Sequence, residues 1–498
     1  MISFIFLDEE TKKIEDEKKC KLLLTVCKKG NVKVIKQFLQ NNPQININWQ
    51  DEYGATPFYI ACEKGLLKIV KLLLNDERVD INKAANDGWT PFYIACWNGH
   101  IDIVKLLLND HRVDFNKADK SEETPFYIAC QQGHIEVVKL LLNDNRIDFN
   151  KGDNDGWTPF FIACYRGHIE IVKLLLNDKR VDINKAENDD TTPFFIACQE
   201  GHIGIVKLLS NDVRVDINKA ENDDTTPFFI ACQEGHIGIV TLFLNDQRVD
   251  IHKANENRIT PFYIACGKGH IEIVKLLLGD KKLDINQANR NDATPFYIAC
   301  EEGHIEIVKL LLMDERVNVN KNLKSSLIND GETPFYVACE CGRTEVVKLL
   351  LADERIKINL ARSDGTTPFL VACQEGHVEI VNLLLNDKRI DINETLNHGE
   401  HDVTPFYIAC QNERIEIVKL LLNDKRVDIN RVDNDGSTSF YLACQRGHFE
   451  IVKLLLNEKR ISIRKKTNKG KNAIDIAKEG NHSNIVKLIL EFDTGNHY

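Results

Sequence analysis

Cysteine and histidine are the residues of this chain whose types and spacing invite a chemical reading. Cys62, Cys96, Cys130, Cys164, Cys198, Cys232, Cys266, Cys300, Cys339, Cys373, Cys410 and Cys444 recur at one place in a repeating pattern, and Cys27 takes that place in a degenerate first copy. His100, His134, His168, His202, His236, His270, His304, His377 and His448 recur with them, each closing a Cys-x-x-Gly-His stretch. A zinc site would need several such ligands to converge at about 2.0 to 2.3 Å on one ion. Each copy offers only this five-residue stretch, which the repeat needs for its own folding, so structural histidines are expected and no metal or other cofactor. Cys339 and Cys341 form a Cys-Glu-Cys with no second pair to complete a site, and Cys20 with Cys27 does no better.

Disulfides fit no better. Equivalent positions on stacked helices lie roughly 8 to 10 Å apart, beyond the roughly 7 Å limit on Cα separation for a bridge. The cysteines read as small buried side chains with free thiols, which suits a reducing compartment. Enzyme signatures are absent: there is no phosphate-binding glycine loop, no Gly-x-Ser-x-Gly elbow and no His-Glu-x-x-His. The chain is therefore expected not to be an enzyme.

Partner chemistry is bounded by charge. With 64 basic and 75 acidic residues the formal net charge is −11, which repels phosphate backbones and anionic lipid, so neither nucleic acid nor membrane is an expected partner. Met1 to Leu7 are apolar, but no basic residue precedes them and Asp8, Glu9 and Glu10 follow, the wrong flanks for a signal peptide. No apolar run approaches the roughly 18 residues that span a bilayer. A cytoplasmic monomer is expected, with the nucleus as an alternative location.

The elements that position these residues follow from the period. Thr-Pro-Phe begins at Thr56 and returns every 34 residues through Thr294, then resumes at Thr333, Thr367 and Thr404; Thr438 keeps the step with Ser439 in place of proline. Lys21–Cys27 and Asn472–Ala477 are divergent first and last copies, giving about fourteen units. Threonine before proline is the expected pair for a helix N-cap and first helical position. In the copy from Thr158, Phe160, Ile162, Ala163 and Cys164 make a first helix that packs on both neighbours, and Gly167 frees the backbone for a tight turn. His168 then opens a second helix, whose Ile169, Ile171, Val172, Leu174, Leu175 and Leu176 follow the 3.6-residue period. Val181, Ile183 and the polar stretch 185–190 form an extended finger that returns to the next Thr-Pro. One such pair cannot bury its own apolar face, so the copies must stack.

The pattern Thr-Pro-Phe-Tyr-Ile-Ala-Cys-x-x-Gly-His-Ile-Glu-Ile-Val-Lys-Leu-Leu-Leu resembles the ankyrin repeat. The resemblance implies an all-α solenoid of about 14 helix-turn-helix units with finger loops, stacked in a curved superhelix. Residues 17–492 would form a single ankyrin-repeat domain, preceded by a charged segment 1–16 and followed by a tail 493–498. Three departures stand out. Tyr93, Phe161, Phe195 and their equivalents replace the family's first histidine. Asn-Asp and one extra residue replace the glycine that ends the second helix, and Glu413 stands at a turn glycine, at a cost of about 1 kcal/mol if that position is left-handed. Finger insertions near 318–330 and 393–403 read equally as longer recognition fingers or as weak joints. Leu176–Asn184 resembles a stretch hydroxylated at asparagine in other ankyrin proteins; the reading preferred is that Asn184 shapes the finger.

In proteins that look like this, partners contact the fingertips and the exposed side of the first helix. Here those positions carry Tyr53, Trp89, Trp97, Asn98, Glu123, Gln131, Trp157, Tyr165 and Arg166. Exposed tryptophan, tyrosine and arginine are the side chains most enriched in binding hot spots, which places a candidate surface at residues 53 to 166; the alternative is that these are exposed positions free to vary. The expected function is a scaffold or adaptor that binds protein on the concave face of the array, and the rival is a spacer or elastic rod. Asp182–Val206 repeats without change as Asp216–Val240, which suits either a partner with repeating features or a rod whose length is what matters.

Overall fold

A computed structural model describes residues 2–324, 330–398 and 401–493, and the side chains among them except those of 2–11, 396–398 and 401–402. Among the described residues the chain forms 28 helices, in two compact units, Met1–Ile251 and His252–Tyr498. Each half holds seven helix pairs.

Within a half, one pair shows why the sequence folds this way. Thr158 adopts an extended backbone and its Oγ1 accepts the Phe161 amide at 3.1 Å, so the helix Pro159–Tyr165 starts with a satisfied donor and a proline at a position that needs none. Phe160, Phe161, Ile162, Ala163 and Cys164 are all buried. Gly167 turns the chain at φ +77, and Ile169–Asn177 returns with Ile171, Val172 and Leu175 inward and Glu170 ion-paired to Lys173 at 2.6 Å on the outer side. First helices pack on the first helices before and after them, and second helices likewise. Burial is completed only by the neighbouring pairs.

The first pair is less regular. A single helix, Ile2–Lys28, runs through the stretch expected as a separate charged segment, followed by Val32–Asn41, whose N-cap Asn31 accepts the Val34 amide. The finger insertions are only partly within view: 325–329 and 399–400 lie outside the described residues, as do 494–498 of the expected tail. In the second insertion Leu396–His398 pairs antiparallel with His401–Val403, a short hairpin that the sequence did not announce. Val403 packs there with Tyr407 and Leu442.

Two backbone features bear on stability. Glu413 stands in the left-handed region at φ 54, as expected of a turn-glycine position, and its carboxylate reaches His448 Nδ1 at 3.4 Å. The fingertip position two residues before most capping threonines is also left-handed; glycine fills it at Gly54, Gly88 and Gly156, but Glu122, Asp190 and Asp224 do so without glycine's freedom. Asp190→Gly and Asp224→Gly should each stabilise the surrounding repeats by up to about 1 kcal/mol, seen as slower amide exchange in the neighbouring helices. Thiol accessibility gives a second check, because fourteen cysteines are buried and Cys341 alone is exposed. A thiol-reactive dye should titrate one group in the native chain and fifteen after unfolding; labelling of several thiols in the native state would contradict this packing.

Candidate functional site

The residues singled out in the sequence sit on the first helices and fingertips, and three kinds of polar tie fix them there. The first is made by the recurrent histidine. His134, His168 and His202 each place Nε2 at 2.8 to 2.9 Å from the backbone oxygen of Trp97, Gln131 and Tyr165 in the preceding repeat. A carbonyl can only accept, so the ring carries its proton on Nε2. The histidines are thus spent on holding the residue after each cysteine. The same contact crowds the turn glycine, since a Cβ on Gly133 would stand 2.7 Å from His168 Cε1, although with Glu413 at that position His448 still reaches Gln411 O at 3.0 Å. In the C-terminal half Arg343 and Arg414 take the histidine's place, donating from Nε to Glu301 O at 2.7 Å and Gln374 O at 2.9 Å.

The second tie is an arginine that the sequence reading passed over. In the turn after the second helix, Asp178 accepts the Arg180 backbone amide and pairs with its guanidinium, while Arg180 Nη2 donates to Leu142 O, the end of the previous second helix. Charge and hydrogen bond both favour a cation at a helix C-terminus. The third is the finger asparagine. Asn82 donates to Arg112 O at 2.7 Å and accepts the Asp114 amide at 2.9 Å; Asn184 donates likewise to Arg214 O at 2.9 Å. That asparagine shapes the finger, as preferred from the sequence.

On this frame the aromatic side chains gather in two clusters. Trp89 stacks on Trp97 at 4.8 Å and on Tyr93 at 5.4 Å, and its Nε1 donates to Asp119 Oδ2 at 3.1 Å. Trp157 packs on Phe161 at 5.1 Å and Tyr165 at 5.2 Å, with Arg166 5.3 Å above the Tyr165 ring. The tryptophans expected to stand exposed are half-buried instead, because stacking covers one face of each indole. Asn98 and Arg166 are exposed, Gln131 is half-buried, and Tyr53 is 70% exposed.

Carboxylates join the clusters, and of these the sequence reading named only Glu123. Tyr93 donates to Glu123 Oε2 at 3.1 Å, Tyr127 to Asp153 Oδ2 at 3.0 Å, and Trp157 Nε1 to Glu187 Oε2 at 3.4 Å. The signal for these pairs was an offset of 26 or 30 residues, readable only once the finger of one repeat is known to lie against the helix of the one before. Burial raises the Glu123 carboxyl above its usual range, and Asp119 and Asp153 add to this against the Tyr93 hydrogen bond.

The C-terminal half repeats the scheme with different residues. Glu332 is 1% exposed and accepts from Tyr297 at 3.1 Å and from Arg362 at 3.3 Å. Burial and then the nearby Glu332 push Glu340 up to about 7. Tyr336, also 1% exposed, has a hydroxyl with no partner among the described residues. Its acceptor position, 26 residues on, is Arg362, whereas Tyr407 finds Asp433 at that offset; an arginine can only donate.

Among the described residues no group of three or more His, Cys, Asp or Glu is placed to hold a metal ion, and no helix is long and apolar enough to cross a membrane. A family model for ankyrin repeats, three copies to a match, fits residues 4–85, 22–119, 111–187, 179–255, 228–324, 316–396 and 406–497. The chain belongs to the ankyrin-repeat family. No curated protein matches it. Ankyrin repeats are generally protein-interaction modules, and proteins built of them are typically scaffolds without enzymatic activity.

The hydroxyl bookkeeping of these ankyrin repeats is open to test. Tyr127→Phe strands Asp153 Oδ2 and should destabilise its repeat by about 1 kcal/mol, whereas Tyr336→Phe removes an orphan donor and should be neutral or stabilising. Amide exchange in Pro125–Gln131 and Pro334–Glu340 reads both; equal losses would mean that Tyr336 has a partner.

Proposed function

We propose that this ankyrin-repeat chain is a scaffold or adaptor that holds a protein partner on the face made by its first helices and fingertips. The surface is centred on Trp89, Trp97, Glu123, Trp157, Tyr165 and Arg166, with Tyr53, Asn98 and Gln131 at its margin. The observation that carries this reading is the position of the two aromatic clusters. Trp97 and Tyr165 follow the buried helix residues, stand half-exposed at the edge of the core, and have their backbone oxygens held by a histidine of the next repeat. Large rings fixed on a rigid frame lose little entropy on binding and supply most of the energy of an interface. Reduced, buried thiols support a cytoplasmic setting. The rival reading, a spacer rod, draws on the unchanged copies Asp182–Val206 and Asp216–Val240.

Affinity capture of the full chain tests the two. A partner recovered by the unaltered chain should be lost from Trp97→Ala/Tyr165→Ala, whose cooperative unfolding persists because both residues are half-exposed and follow the fully buried helix positions. Undiminished capture by that variant would remove the surface, and no partner at micromolar affinity would favour the rod.

A further inference from the structure

The two faces of the N-terminal half differ in charge. In its six repeats from Thr56 to Thr226, the five residues before each capping threonine and the two after each cysteine carry seventeen acidic and three basic residues. The whole chain is nearly balanced at 75 to 64, so the acid is concentrated at the fingertips and first-helix ends. The outer side of the second helices is different: it carries few carboxylates, and Glu136 and Glu170 there are paired with Lys139 and Lys173 at 2.6 Å. Field lines from this surplus of carboxylates reach a partner before contact and select its sign.

Within this face Glu123 has an unused oxygen beside the aromatic rings. Asp119 and Asp153 accept backbone amides on one oxygen and an aromatic donor on the other. Glu123 accepts only the Tyr93 hydroxyl, on Oε2; among the described residues its Oε1 accepts nothing. Tyr93 lies 6.4 Å from Trp97, centroid to centroid, so the open oxygen and the half-exposed indole belong to one patch. Half-buried carboxylate and indole together match a side chain with a cationic head and an apolar stem.

We infer that the first-helix face of residues 89–166 seats a lysine or arginine side chain from a basic segment of a partner protein, with the cation on Glu123 Oε1 and the stem along Trp97. This rests on the interaction reading above and adds the chemistry of the partner. Phosphate-bearing partners are repelled by the same field. A bare metal ion is not the occupant either, because no group of three ligands is assembled among the described residues.

The probe is a synthetic twelve-residue peptide of alternating lysine and glycine, titrated into the full chain. Trp89, Trp97 and Trp157, three of the four tryptophans, lie on this face and report binding by fluorescence. The lysine peptide should bind, and the same peptide with glutamate should not. Glu123→Gln should weaken binding about tenfold, and Trp97→Ala should weaken it too. Glu136→Gln makes the same charge change on the outer face and should leave affinity within about twofold. Equal effects of Glu123→Gln and Glu136→Gln would reduce the effect to net charge and overturn the assignment, as would no binding at about 1 mM peptide. Head-to-tail self-association through the chain's own basic finger 464–471, abolished by Glu123→Gln, would overturn a partner protein as occupant. If the peptide fails while partner capture still depends on Trp97, the interaction surface stands and only the basic class falls; if both fail, both fall.

Discussion

Each helix pair in this chain has apolar residues on both broad sides and nothing of its own to cover them. Phe160, Ala163 and Cys164 are buried because other first helices lie against theirs, and Ile171 and Leu175 because other second helices do. Every repeat is therefore both core and lid for its neighbours. This constraint explains the small residues: alanine and cysteine at the centre of the first helix allow close approach, and a larger side chain there would push two repeats apart rather than fill a void.

Apolar burial alone does not set how far one repeat slides on the next, since apolar contact is non-directional. The polar ties do. A histidine or arginine to the carbonyl after the cysteine, an arginine to the end of the previous second helix, and an asparagine between successive fingers act at three heights of the stack. Each joins groups 30 to 43 residues apart. Where the period lengthens by five residues, Asn320 still reaches Arg355 O at 2.7 Å and Arg355 still reaches Leu312 O. The insertion is absorbed outside the ties.

Because the ties consume backbone groups and the helix interiors consume the apolar side chains, the remaining first-helix positions are free of structural duty. On those positions and the adjoining fingertips this chain places Trp89, Trp97 and Trp157 and the acidic surplus of its N-terminal half. The aromatic donors hold the fingertip carboxylates in fixed positions, so the face offers charge and ring surface with little motion to be frozen on binding. The proposed role follows from this division of labour.

Much of this was legible in the linear pattern. The 34-residue step, the Thr-Pro cap, the left-handed turn position and the buried cysteines are local or periodic properties, and local backbone preference with hydrophobic period is what a sequence encodes openly. The tertiary structure decided the rest. Whether Trp89 stood free or lay on Trp97, that Glu123 would meet Tyr93, and that Arg362 would deny Tyr336 an acceptor all depend on which residue of the next repeat comes opposite. Such pairings arise from stacking geometry, and no residue's own type or neighbours in the chain reveal them.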